Sequence, residues 1–550
     1  MTIPVVPAVH RAVTHGATRT VDATTAVVVL APELADLAKR FSVDIALDAG
    51  VTLAGVTDQP ADASITLDLS DGQLAELPPA SGVRADGVEV DERHGIEITS
   101  DGIRVWGPTP EAVHRGLTTL RQLITERAVD GAAVLDQLRI LDAPRFSWRG
   151  LSLDVARTFH DVETVRRVID MLSLYKLNVL HLHLTDDQGW RVEIPDWPLL
   201  TEVGAAGAIG DRPGGFYSTA DVVSLVRYAS ERFVTLVPEV DMPGHTSAVF
   251  RSYPRLAPAT AEGSAGTVGN LNPDDATTLR FVDDVVGAVA AQFTTSAYVH
   301  IGGDEAFGMP DEAHARFVDR AMDTVKRHGR RVVGWQEIAR AGVGPGDLVQ
   351  YWMEPTSIQS TLDAGSLGSM VDSDVLASMV PPEMLPLLAE ALGKSIDDIP
   401  TALAKGATIL VSPTTRLYLD RPHAESSTDI EQDESRARIG LQVYPAATLR
   451  EFVEWDPLDE TPMVDSDAQL AGVEAAVWCE TVSGRDDLEF LLLPRLAGVG
   501  EKAWAAIGAT SWDDYADRLA PHSTAWDRRG WAWFRSSLVA WELKGAELGA

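Results

Sequence analysis

Asp304 and Glu305 stand side by side in the run His300–Ile301–Gly302–Gly303–Asp304–Glu305, just beyond a pair of glycines. Glycine lets backbone or ligand come close. Two carboxylates in one confined site cannot both ionise cheaply, so one carboxyl keeps its proton to higher pH. A neutral acid beside an anionic carboxylate suits glycosidic cleavage. The acid protonates the leaving oxygen, and the carboxylate steadies the positive charge that develops. The plain alternative is a solvated acidic loop after a strand, and aromatic residues weigh against it. Trp335, Trp352 and Trp478, three of 14 tryptophans, each lie near the end of a strand-like run. Indoles facing one mouth form an apolar box that stacks on a sugar's C–H face and excludes water.

His181–Leu182–His183 offers a rival, because histidines two apart on a strand point to the same side. A metal site would need further ligands, and only His245 and His300 are at hand. Satisfied interior histidines are the better reading, and no metal or cofactor is expected. Asp241–Met242–Pro243–Gly244–His245 reads either as a locally bonded turn or as a source of a histidine tuning a catalytic acid.

These residues need a frame. From Arg149 onward, β-branched runs alternate with stretches of helical period. The expected strands are Gly150–Val155, Val179–Leu184, Val234–Val240, Tyr298–Gly302, Arg331–Trp335, Leu348–Trp352, Thr408–Ser412 and Gly472–Trp478. Val165, Val168, Ile169 and Leu172 form one apolar helical stripe. Eight strands with intervening helices predict a (β/α)₈ TIM-type barrel of the α/β class, over residues 144–505. The strand ends lead into Arg157, Asp186, His245, Asp304–Glu305, Trp335–Glu337, Trp352–Glu354, Tyr418–Asp420 and Trp478–Glu480, which is the face where such barrels carry their sites. Residues 1–143, with strand-like Ala26–Leu30, Ile65–Leu69, Ile96–Ile98 and Ile103–Trp106 and a helix-like Thr109–Ile124, predict a small α+β domain. An insertion over 362–405 should hold two short helices, Pro382–Leu392 and Pro400–Lys405. Residues 506–550 are expected to be a helical segment packed on the barrel.

Composition narrows the partners. The 550 residues are 45% hydrophobic and 23% charged, as in a globular chain with a large core. Forty-six basic against 81 acidic residues leave a net charge of −35, which repels phosphate backbones and anionic membranes. Neither nucleic acid nor membrane is an expected partner. The one cysteine, Cys479, permits no internal disulfide. No run approaches the ~18 apolar residues of a membrane span, and no signal peptide is visible. A cytoplasmic location is expected; a secreted chain with its signal removed would look the same.

Together the motifs resemble the β-N-acetylhexosaminidases of glycoside hydrolase family 20. The matching residues are Leu153–Arg157, His181–Trp190, Pro238–His245, His300–Glu305, Gly334–Glu337, Tyr418–Asp420 and Trp478–Glu480, in the family's order. The segments Gly95–Ile98, Gly102–Val105 and Gly116–Leu123 resemble its small first domain. The resemblance implies substrate-assisted retention, in which the 2-acetamido oxygen attacks its own anomeric carbon and gives an oxazolinium-type intermediate. It implies Glu305 as general acid then base, Asp304 holding the acetamido N–H and Tyr418 bonding its carbonyl. It further implies Arg157 near O3/O4, Glu480 near O4 and Asp420 near O6. Trp335, Trp352 and Trp478 would box the acetamide, with Asp186 and His245 behind Glu305. The expected substrates are small oligosaccharides or glycoconjugates with a terminal, non-reducing β-linked GlcNAc or GalNAc. Thr158 stands where many relatives carry histidine and is expected at the rim; Cys479 is expected to be a buried, inert thiol. A disaccharide-releasing or transferring relative, and a non-catalytic sugar binder, are the alternatives. GlcNAc against GalNAc preference and oligomeric state stay open.

Overall fold

The computed structural model describes residues 3–258, 269–355, 393–461 and 463–541. Eight parallel strands close into a barrel in strict chain order, the last (Leu470–Val477) pairing with the first (Trp148–Asp154). The others are Val179–His183, Thr235–Glu239, Tyr298–His300, Arg331–Trp335, Leu348–Tyr351 and Thr408–Val411. Each coincides with an expected run to within two residues. The first barrel helix, Val162–Leu174, starts at Asp161, whose side chain accepts from the Thr164 N–H, and buries Val165, Val168, Ile169 and Leu172.

Period-two alternation sorts the barrel interior into levels. Trp148, Val179, Val237, Tyr298, Val333, Leu348, Leu410 and Ala471 form an apolar floor, closed from below by Ala85 of the N-terminal unit. Two residues further along six of these strands come His181, Glu239, His300, Trp335, Gln350 and Ser412, all buried. The apolar levels usual in such barrels therefore give way to a polar one beneath the mouth.

The N-terminal unit is an α+β domain. Its sheet runs in the order Arg11–Val21, Ala132–Asp142, His94–Ile98, Ile103–Gly107, Ile65–Leu69, Ala26–Val29, Gly55–Thr57, with Ala128–Val129 beside Ala132–Asp142. Helices Ala35–Ala49 and Pro110–Arg127 cover one face. Thr109 caps the second by accepting from the Ala112 N–H, and Pro110 occupies the first turn. The two 11-residue strands were not anticipated: Arg11–Val21 is an edge strand, exposed along nearly its whole length, and carries no burial pattern.

A buried charged joint holds this unit to the barrel. Glu92 takes Arg149 Nη1 at 3.0 Å and Nη2 at 2.6 Å, and Arg115 Nε at 2.8 Å. Asp142 takes Lys176 Nζ at 2.7 Å. Beyond the barrel, helices Trp512–Leu519 and Ser523–Arg529 follow. Trp526 Nε1 donates to Tyr175 Oη at 2.8 Å, next to the first barrel helix, and Arg529 Nη2 pairs with Asp44 of the N-terminal unit at 2.8 Å. Of the two helices expected in the insertion, Pro382–Leu392 lies outside the described residues. Pro400–Lys405 overlaps the helix Asp398–Ala404. No described helix is long and apolar enough to cross a membrane.

Candidate active site

The turn after the fourth strand sets the two adjacent carboxylates. Gly302 and Gly303 have φ of +66° and +99°, and Glu305 follows at +44°. A Cβ on Gly302 would lie 1.6 Å from Asp241 Oδ1, and one on Gly303 2.4 Å from Ile338 Cγ2. Asp241 braces the turn, accepting from the Gly303 N–H at 3.3 Å. A left-handed glutamate costs backbone strain, a feature that gathers at functional sites. Gly302→Ala is therefore expected to lose at least about 1–3 kcal/mol from the backbone alone. Denaturant midpoints test this against Gly484→Ala, whose Cβ would meet nothing within 4 Å.

Behind Glu305 stands a run of alternating acids and imidazoles. His245 Nε2 lies 3.4 Å from Glu305 Oε2 and 3.7 Å from Asp304 Oδ2, while its Nδ1 lies 3.3 Å from Asp186 Oδ2. The same Asp186 oxygen takes Arg157 Nη2 at 2.8 Å and His183 Nε2 at 3.1 Å. Burial opposes charge on Asp186, but Arg157 and His245 outweigh it and hold its carboxyl well below the usual range. Burial likewise disfavours a charged His245, yet Asp186 and Asp241 lift its pKa well above the ordinary value.

Aromatic rings form the facing wall. Trp478 has its ring centroid 5.8 Å from Trp335 and 5.9 Å from Tyr418, with the Arg157 guanidinium 5.0 Å from its ring. Tyr444 meets Tyr418 edge-on at 5.7 Å. Trp352 Nε1 donates to Oε2 of Glu337, two residues past Trp335, at 3.2 Å. Burial, with Tyr444 adding to it, raises the Tyr418 hydroxyl well above its ordinary pKa, so it remains a donor.

Among the described residues, no donor holds in full hydrogen-bond geometry several buried acceptor oxygens of the same region: both of Asp420, Oε2 of Glu480 and Oδ1 of Asp304. Burial and then Asp241 push Asp304 well above the carboxylate range, with Glu305 adding to the push. Burial first and then Glu480 do the same for Asp420. Burial also raises Glu480 to about 7 against the pull of Arg157, and Asp241 to about 7 against that of His245. Buried acceptors of this kind are costly until something donates to them. Hydroxyls and an amide N–H on an apolar ring would do so, between indoles that cover the ring.

The sequence profile of the glycosyl hydrolase family 20 catalytic domain matches residues 146–311 and 392–507, and that of the family's domain 2 matches residues 2–143. The chain belongs to glycosyl hydrolase family 20. A β-N-acetylhexosaminidase of Cellulomonas fimi is 36% identical over 465 residues, covering 84% of each chain. The family 20 β-N-acetylhexosaminidase of Streptomyces coelicolor A3(2) superposes with a TM-score of 0.81 at 31% identity, covering 98% of this chain and 99% of that one. The Streptomyces plicatus N-acetyl-β-hexosaminidase, solved with thio-NAglucal, reaches 0.80 at 31% identity, covering 98% of both chains. A mutant of it has been solved with its product GlcNAc.

Within this family 20 barrel, Asp304, Glu305, His245, Asp186 and Arg157 form one contact network. Trp335, Trp478 and Tyr418 form another, and Asp420 and Glu480 supply acceptor oxygens that no donor among the described residues holds in full hydrogen-bond geometry. His181 and His183 are interior, each 1% exposed, with carboxylates against both ring nitrogens. Thr158 is a correction: it is not at the rim but 4% exposed. Its hydroxyl lies 2.9 Å from the Cys479 carbonyl and accepts from Arg212 Nη1 at 2.9 Å, tying together the loops after the first, second and eighth strands. Cys479 is fully buried, and burial raises its thiol well above the ordinary pKa. Glu239 and Glu337 lay inside motifs already set out, Pro238–His245 and Gly334–Glu337, without a role of their own, and Tyr444 was not singled out. Glu239 carried a usable signal, lying two residues beyond Val237 on one strand. Tyr444 carried none, since it reaches the site from irregular chain.

Proposed function

We propose that this glycoside hydrolase is an exo-acting, retaining β-N-acetylhexosaminidase that removes terminal β-linked GlcNAc or GalNAc from oligosaccharides or glycoconjugates. The observation that carries the reading is the sharing of His245 by Asp304 and Glu305, on one braced turn beside the Trp335–Trp478–Tyr418 wall. Known ligands of the Streptomyces plicatus relative, thio-NAglucal and GlcNAc, are of the same sugar class.

In this reading the acetamide lies in the aromatic pocket with its N–H given to Asp304 and its carbonyl oxygen accepting from Tyr418. That orientation aims the carbonyl oxygen at the anomeric carbon, and tethering supplies the high effective molarity of an intramolecular nucleophile. Glu305 protonates the leaving oxygen as the C–O bond breaks and then takes a proton from the water that opens the oxazolinium ring. Asp304 faces positive charge only once the ring forms, so it stabilises the transition state more than the bound sugar. Arg157 and Glu480 hold the O3/O4 edge, and Asp420 holds O6.

Hydrolysis of an aryl β-N-acetylglucosaminide against the matching aryl β-glucoside tests the reading. Turnover confined to the acetamido sugar is expected, by at least about 100-fold in kcat/KM. Comparable turnover of the plain glucoside would rule out a tethered nucleophile.

A further inference from the structure

Glu239 has four side chains within 3.1 Å of its two carboxylate oxygens. It is 0% exposed and sits on the third strand, in the polar level below the mouth. Its Oε2 takes His183 Nδ1 at 2.6 Å and lies 3.1 Å from His181 Nε2. Its Oε1 takes the Trp335 indole N–H at 2.8 Å and lies 3.0 Å from His300 Nδ1. Two of these contacts lead outward to different parts of the site. Through His183 the line runs to Asp186, His245 and Glu305, the proton-transfer side. Through Trp335 it reaches the aromatic wall, the acetamide side.

We propose that Glu239 is a positioning residue that sets the proton-transfer group and the acetamide pocket in register with each other. The inference rests on the reading of the site given above. A rigid indole held at its one donor cannot swing about its ring axis, and a His183 held at Nδ1 must present Nε2 to Asp186. One carboxylate with two oxygens meets both demands at once. A glutamine cannot, because its amide NH₂ would face either the Trp335 N–H or the His183 N–H, donor against donor. Charged or polar groups at this depth are costly to bury. Simple packing would be met by the branched apolar residues that fill such barrels.

Two ratios read the two arms separately. The first compares kcat/KM on an alkyl β-N-acetylglucosaminide, whose leaving group needs a proton, with that on a dinitrophenyl one, whose leaving group does not. The second compares N-acetyl with N-butanoyl aryl glucosaminides, which reports the fit of the pocket. Glu239→Gln is expected to lose at least about tenfold more on the alkyl than on the dinitrophenyl substrate. It should also relax the acyl preference by at least about threefold. Equal losses on all substrates, or unchanged ratios, would overturn the proposal, since a general loss of folded enzyme moves neither ratio. Should Glu239→Gln not fold, His183→Gln and Trp335→Phe decide. Each is expected to move its own ratio and leave the other; movement of both or neither overturns the proposal. The wild-type acetamide requirement, measured alongside, separates this failure from failure of the site reading. If that requirement holds and the ratios do not move, only the role of Glu239 falls.

Discussion

Glu305→Gln is expected to lower kcat/KM on an alkyl β-N-acetylglucosaminide by at least about 100-fold, and by far less on a dinitrophenyl one. Glutamine keeps the shape of the side chain and leaves the braced turn as it is. What it removes is the proton. An alkoxide is a poor leaving group and needs that proton as the C–O bond breaks, whereas dinitrophenolate departs unaided. The acetamide nucleophile does not involve Glu305, so ring closure on the activated substrate should survive. Accumulation of the oxazoline is the accompanying sign, because its opening by water also calls on Glu305. Equal losses on both leaving groups would remove Glu305 from the proton-transfer role.

Asp304→Asn is expected to cost about 10²–10³-fold in kcat with little change in KM, while making the folded protein more stable. The two effects have one origin. Asp304 sits among Asp241, Glu305 and buried surroundings that raise its carboxyl pKa well above 3.8. A folded-state value above the unfolded one means the native state holds a proton that the unfolded chain has lost. Stability therefore falls as pH rises from the unfolded pKa toward the folded one. Asparagine removes that loss, so the gain in Tm should be larger at pH 7 than at pH 4. It also removes a carboxyl that can ionise to face the positive charge of the oxazolinium-type transition state, which lowers kcat. Thermal melts at the two pH values, beside kcat on the aryl N-acetylglucosaminide, check both halves. A variant less stable than wild type at pH 7 would contradict this account of the site's electrostatics.

How far the chain could be read follows from where each signal lives. The barrel strands announce themselves as β-branched runs because they are buried on both faces, and the chemistry sits at their ends because the fold puts it there. The strand-end positions of Asp304, Glu305, Trp335, Tyr418 and Glu480 were therefore legible from order and spacing, while their individual roles came only from the family resemblance. The edge strand Arg11–Val21 was not, since an exposed ribbon has no apolar alternation to show. Thr158 was placed wrongly because its burial depends on Arg212 and on the Cys479 carbonyl, 54 and 321 residues away in the chain. Glu239 looked like an ordinary strand residue because its partners come from other strands, and only barrel closure brings them to one carboxylate.

The buried pairs of Glu92 with Arg149 and of Asp142 with Lys176 bear on how the protein fails. Breaking such a pair from one side typically costs about 3–5 kcal/mol, because the remaining charge has no water to turn to. The two segments matched by separate family 20 profiles are thus joined by charges whose loss would destabilise both. Damage at this seam, far from the sugar pocket, would reduce the number of intact molecules while each survivor turned over at its normal rate.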